Sequence, residues 1–182
     1  MKNREESLKI LKEKVKTKNL IKHMLAVEAI MKGIAKRLDE DEYLWGIAGL
    51  LHDIDIDEYG KEPTMHGKVG AEWLKQIGYD DKIVNAVLAH AGHKTPENSL
   101  EIALFASDPL SGLIISSALI HPEKRLNAID TNFVLNRFCE KRFAAGARRE
   151  DIKRCEDLGL SLEEFITIAL NSMKEISGEL GL

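Results

Sequence analysis

Residues 45–55 read WGIAGLLHDID. The seven residues from Trp45 to Leu51 carry no charged group, and His52 and Asp53 follow them without a break. A helix this apolar carries the imidazole and the carboxylate towards the interior, where an unpaired buried charge is costly. The same arrangement recurs on both sides of this stretch. His23 lies four before Val27 and seven before Ile30, and His66 precedes Val69, Gly70 and Trp73 at helical spacing. His90 follows Ile83 and Val87, and Asp108 follows Leu104 and Phe105. Positions i, i+3, i+4 and i+7 share one helix face. Several helices therefore turn one imidazole or carboxylate inward, and one shared cation would remove the cost for all of them. Of six histidines, five fall between residues 23 and 93, so the pattern is a cluster and not a scatter.

Outward from this stretch, helical periodicity continues almost everywhere, and strand-like alternation is rare. A first helix is expected over about 4–16, entered at Asn3 with Glu6 three residues on, a capping-box pattern. Others are expected over about 20–38 and 41–53. An acidic loop spans 54–63, and Thr64 is expected to cap a fourth helix that ends at Gly78. A fifth covers about 80–91 and stops at Gly92. A sixth starts near Ser99 and meets Pro109, and the all-apolar residues 110–120 (LSGLIISSALI) form a buried helix of their own. Helices over about 131–143, 149–157 and 162–177 follow, the last two capped near Arg148 and at Ser161. The expected fold class is all-α: residues 1–122 as the main helical domain, and 123–182 as a C-terminal helical subdomain packed on it.

With 182 residues the chain suits one ordinary domain. Lys and Arg number 26 against 30 Asp and Glu, a net charge of −4, which speaks against nucleic acid as the main partner. No run of 18 apolar residues predicts a membrane span, and the charged start MKNREESLKILKEKVK lacks a signal-peptide core. Cys139 and Cys155 form no CxxC pair, so idle thiols in a reducing, cytoplasmic setting are expected.

The ordered set "NLIKHMLAVEAIM" (19–31), "WGIAGLLHDID" (45–55), "MHGKVGAEWL" (65–74), "IVNAVLAHAGH" (83–93) and "LFASDPLSGLI" (104–114) resembles the HD superfamily of metal-dependent phosphohydrolases. The whole chain, including "KRFAAGARREDIKRCEDLGLSLEEFI" (141–166), is similar to a small bacterial and archaeal family of predicted HD-superfamily hydrolases. The resemblance implies an HD-domain helical bundle with a C-terminal helical extension. It implies that His23, His52, Asp53 and Asp108 ligate a primary metal ion. It also implies that His66 and His90 serve catalysis or complete a second metal site, with Asp53 shared between the two. Two-metal members often have a second histidine directly after the one matching His90. Here Ala91 stands there, so one-ion use is placed slightly ahead of two, with His93 as the residue that could substitute.

Imidazole and carboxylate without thiolate suit Fe, Mn, Zn, Co or Ni, as one or two ions. The implied activity is hydrolysis of a small phosphate ester, nucleotide or phosphoanhydride by metal-activated water, with Asp53, His66 and His90 as catalytic candidates. A phosphoryl transition state needs further cations, and Lys68, Lys94, Arg148 and Arg149 are the candidates for binding a small phosphorylated substrate. Asp57 is a candidate acid or base, and His121 reads as a surface cap. A metal-containing HD module that senses a nucleotide without turnover is the alternative. Substrate and oligomeric state stay open.

Overall fold

The structure, a computed structural model, describes residues 2–182, and every regular element among them is helical, as the sequence predicts. Helix α1 (Arg4–Lys14) starts at the expected capping box: Asn3 accepts from the Glu6 N–H while the Glu6 carboxylate accepts from the Asn3 N–H. Helix α2 (Lys18–Arg37) and helix α3 (Glu42–Leu51) pack on each other more extensively than any other pair. Asp41 caps α3 by accepting from the N–H groups of Tyr43 and Leu44. Gly49 makes the close approach feasible, because a Cβ there would stand 2.9 Å from the Val27 carbonyl oxygen and 3.0 Å from Glu28 Cα. This contact brings His23 on α2 towards His52, the residue that closes α3.

The segment expected as an acidic loop contains the short helix α4 (Ile56–Tyr59). Helix α5 (Lys68–Gln76) starts later than the sequence predicts, with Gly67 and not Thr64 at its N-cap. The cause is remote in sequence. The Asp55 carboxylate reaches the helix start and accepts from the N–H groups of Gly67 and Gly70, doing what a local cap would do. Gly67 takes φ +79°, and a Cβ there would stand 2.2 Å from Ala91 Cβ, so the turn needs glycine. Helix α6 (Asp81–His90) ends before Gly92, which takes φ +79°.

Pro109 does not divide the next helix. Helix α7 runs unbroken from Ser99 to Ile120, against the expectation of two segments. Proline removes one backbone donor and crowds the carbonyl four residues earlier. Here α2 and α6 pack on α7, as do the elements that follow it, so tertiary contact carries the helix through the proline. Its end is less buried than its composition predicts, with Leu119 and Ile120 exposed by 48% and 50%. By length and composition α7 could cross a membrane, yet it is the helix around which this core is assembled.

Helix α8 (Thr131–Cys139) is shorter than expected, and residues 140–147 form turns. Helix α9 (Arg149–Ile152) is a single turn that continues as 3₁₀ helix over Lys153–Leu158, where one α-helix was expected. Ser161 caps helix α10 (Leu162–Glu175), and helix α11 (Ser177–Leu180) closes the chain. Phe165, Ile166, Leu170 and Met173 of α10 are buried in one continuous apolar core with Met24, Ile30 and Ile34 of α2.

Candidate metal centre

Four imidazoles and two carboxylates converge where α2, α3, α6 and α7 meet. His23 Nε2 lies 3.0 Å from Asp108 Oδ1 and 3.8 Å from Asp53 Oδ2. His52 Nε2 lies 3.5 Å from Asp53 Oδ2 and 3.7 Å from Asp108 Oδ1. On the other side, His90 Nε2 is 3.1 Å and His66 Nε2 3.3 Å from Asp53 Oδ1. Asp53 thus turns one oxygen to His23 and His52 and the other to His66 and His90. His52 is fully buried and Asp53 nearly so. The structure brings together all six residues expected to ligate metal.

Each imidazole is anchored through its outer nitrogen. The Nδ1–H of His52 donates to the Gly49 carbonyl at 2.8 Å, and that of His90 to the Val87 carbonyl at 2.5 Å. His23 Nδ1 is 3.0 Å from Ser111 Oγ, whose hydroxyl donates to the Asp108 carbonyl, so the imidazole is the donor of that pair. His66 Nδ1 is 2.8 Å from Asp55 Oδ1. These anchors fix the tautomer with the Nδ1 proton outward and leave four Nε2 lone pairs facing the interior. The Nε2 atoms of His23 and His52 stand only 3.2 Å apart. Two lone pairs at that separation repel unless a proton or a metal ion lies between them. The donor set therefore fits a divalent ion, with outward hydrogen bonds of the kind that orient metal-binding histidines.

The electrostatics agree. Burial opposes charge on His52, but the neighbouring Asp53 and Asp108 carboxylates raise it well above the usual imidazole value. Hydrogen bonds to Asp53 and Asp55 raise His66 to about 9. Burial would raise Asp53 and Asp108, yet the imidazoles of His52, His66 and His90 hold Asp53, and those of His23 and His52 hold Asp108, below the carboxylate range. Without metal, the cluster holds protons in the space where it favours positive charge.

Asp55 is the residue the sequence reading missed. It is 1% exposed, and its two oxygens orient His66 and cap α5 together. Its signal was present as the carboxylate two residues after His52-Asp53, paired with the spacing Gly67 and Gly70. Asp57, by contrast, lies away from the cluster and accepts from the Lys16 and Thr17 N–H groups at the junction of α1 and α2. The Nε2–H of His93 donates to the His66 carbonyl at 2.7 Å, so this ring braces the loop behind the site. His121 closes α7 and packs edge-on against Phe133.

The cluster floors a cleft of about 570 Å³ whose walls include Phe105, Gly112 and Ser116 of α7 and the turn 144–148. Arg148 stands at its lip, 70% exposed and 3.2 Å from Asp151. The other expected anion-binding residues are placed differently. Lys68 is exposed at the start of α5, outside the cleft lining. Lys94 pairs with Glu101 at 2.6 Å and Glu97 at 3.1 Å. Arg149 is turned away from the cleft. Its guanidinium donates to the carbonyls of Arg137, Phe138, Glu140, Phe143, Ala144 and Ala147, closing the end of α8 and holding the turn. The sequence displays its charge but not these acceptors, and the one-turn α9 is too short to draw an anion to its start.

A family model described as the HD domain matches residues 20–126, the span that holds all six clustered histidines and aspartates. The chain belongs to the HD-domain family. Ribonuclease Y of Aliarcobacter butzleri is 37% identical over 93 residues, covering 51% of this chain and 18% of that protein. Ribonuclease Y of Sulfurovum sp. is 29% identical over 166 residues, covering 87% of this chain and 32% of that one. The chain thus spans about a third or less of the length of these relatives. The uncharacterized protein MJ0778 of Methanocaldococcus jannaschii is similar along most of its length, 31% identical over 160 residues, with 82% of this chain and 90% of that protein covered. No solved structure matches. HD-domain proteins are typically phosphohydrolases, and the His/Asp cluster is of the kind that binds their metal.

Proposed function

We propose that this protein is a divalent-metal-dependent hydrolase of phosphate esters or anhydrides. The observation that carries the reading is the convergence of four imidazole Nε2 atoms and two carboxylates at the floor of an open cleft with an arginine at its lip. His23, His52, Asp108 and one oxygen of Asp53 would hold one ion. His66, His90 and the other oxygen of Asp53 would hold a second. The division of Asp53 between two imidazole pairs supports two ions over one, and iron, manganese, zinc, cobalt and nickel all suit these donors. A bound divalent ion supplies a water of lowered pKa and positive charge beside a phosphoryl oxygen.

The chain's own groups do the rest. Arg148, exposed at the lip beside Asp151, offers a guanidinium to a phosphoryl oxygen. Asp55 keeps the His66 Nε2 lone pair directed inward. Phe105 and the turn 144–148 form the walls against which the bound group would rest. The ribonuclease Y relatives, which share this region only, support keeping phosphodiesters within the substrate class.

The test is turnover in isotopically labelled water by protein loaded in turn with manganese, cobalt, nickel, iron and zinc. Label is expected in the released phosphate, because no side-chain nucleophile is implied. Asp53→Ala is expected to lose both metal and turnover. Full metal occupancy in that variant would sink the assignment, as would absence of hydrolysis across mononucleotides, phosphodiesters and anhydrides with metal fully bound.

A further inference from the structure

The turn 144–148 separates two clefts. On one side lies the cleft over the His/Asp cluster. On the other lies a second, of about 630 Å³, lined by Phe138, Cys139, Lys141, Arg149, Glu150 and Lys153 among others. Ala145, Ala147 and Arg148 line both, so the two clefts adjoin across this turn. Residues 137–154 contain seven Lys or Arg and three Asp or Glu, within a chain whose net charge is −4. With Arg137, Arg148 and Arg154 in ion pairs and Arg149 bonded to backbone carbonyls, Lys141, Arg142 and Lys153 stand against Glu150 in this stretch. Lys141 and Lys153 are exposed, while the neighbouring ion pairs Arg137–Glu140, Arg148–Asp151 and Arg154–Asp157 use other cations.

We propose that the second cleft is a phosphate-binding subsite adjoining the cleft over the His/Asp cluster, and that the substrate is a single-stranded oligonucleotide. This rests on the reading of the cluster as a phosphohydrolase centre and extends it. The reacting phosphodiester lies beside Arg148, and the next phosphates of the strand lie along Lys141 and Lys153. Two considerations select this ligand. Each cleft has the volume of a site for one nucleotide-sized molecule, so a substrate filling both is longer than a mononucleotide. Their walls also include apolar side chains, Phe105 and Pro109 in one and Phe138 in the other. Bases and sugars can use such walls, whereas a bare chain of phosphates cannot. The reaction adds water across one P–O bond, leaving a phosphate monoester and a hydroxyl, and needs no other reactant.

The test uses the full chain loaded with manganese, with Lys141→Glu, Lys153→Glu and the double variant, all at exposed positions. Binding of a short single strand is followed by fluorescence anisotropy over a range of salt. Hydrolysis of bis(p-nitrophenyl) phosphate, which is too small to reach the second cleft, is measured alongside. The double variant is expected to bind the strand at least about tenfold more weakly, and each lysine removed should lower the salt slope by about 0.7. Hydrolysis of the small diester should stay within about twofold of the parent. Unchanged strand affinity and salt slope in the double variant overturn the subsite while leaving the phosphohydrolase reading intact. Lysine-dependent binding of inorganic triphosphate without strand binding overturns the oligonucleotide assignment. Lysine-dependent strand binding by a metal-loaded protein that hydrolyses neither substrate supports the subsite and refutes the enzyme.

Discussion

Replacing Asp55 by asparagine should separate the orientation of His66 from the capping of α5. In the parent, Asp55 Oδ2 accepts from Gly67 N–H at 2.8 Å and Gly70 N–H at 2.7 Å, while Oδ1 accepts from His66 Nδ1–H at 2.8 Å. Asparagine can keep its carbonyl oxygen on the two backbone amides. Its NH₂ then faces His66 Nδ1, which must accept and move its own proton to Nε2. The proton then occupies the lone pair that should face the metal. Folding stability should fall by only about 1 kcal/mol, because the buried amides keep a partner. Metal affinity on the His66 side should fall about 10–100-fold, the usual effect of losing the orienting partner of a ligating histidine. Asp55→Ala should behave differently. It strands two buried backbone donors at about 1–3 kcal/mol each, a large share of a domain's roughly 5–15 kcal/mol margin. Chemical denaturation of the metal-free proteins and competition of each variant with a chromophoric chelator measure the two effects. An Asp55→Asn variant with parental affinity for every ion would refute the tautomer argument.

His90→Ala should retain about one ion per chain while losing most turnover, because His23, His52 and Asp108 are intact; a metal-free variant in elemental analysis would contradict the division of ligands. Metal binding at His66 should strengthen as pH rises towards its raised value of about 9 and level off above it, releasing up to one proton per ion below that value, as calorimetry in paired buffers of different ionisation heat can measure. In the metal-free protein the same raised value contributes stability that is fully present below about 6.5 and lost as pH rises through 9. Arg149→Ala should cost about 2–4 kcal/mol in denaturant unfolding, because several backbone carbonyls lose a charged donor at once, and it should raise KM without lowering metal content. Arg149→Lys should rescue little of this, since an ammonium cannot span six acceptors.

The clustered histidines and aspartates were legible because each is a polar residue set among apolar ones at helical spacing, on a helix or just beyond its end, and only a shared function makes that arrangement economical. What supports them was legible only in part. Asp55 sits among Asp53, Asp57 and Glu58, and in one dimension an acidic run reads as solvated surface. Its partners Gly67 and Gly70 become neighbours only after the chain turns back, which is also why Thr64 looked like the local cap. Arg149 shows the converse error. A charge beside a glycine-containing turn reads as an anion binder, while its carbonyl acceptors are backbone groups that sequence cannot display. Pro109 predicts a break by local rules, but α7 is packed on both halves and tertiary contact overrides the local cost.

The construction of the centre also favours a cation over a second carboxylate or a bound phosphate in its deepest part. Helix α3 ends at Leu51 with His52 as its C-cap, and α6 ends at His90. Each of these histidines donates Nδ1–H to the carbonyl three residues earlier in its own last turn. The unsatisfied carbonyls of a helix end thus set the tautomer, and the negative end of each helix dipole faces the cluster. Such an end favours a cation by about 0.3–1 kcal/mol, and up to about 2 kcal/mol when partly buried. Two helix ends and two carboxylates act in the same sense on one small volume. An anion can approach only from the open side, past Arg148, once positive charge occupies the floor. Lengthening α3 or α6 by a turn would move its histidine and its dipole end together, so the helix lengths are part of the site.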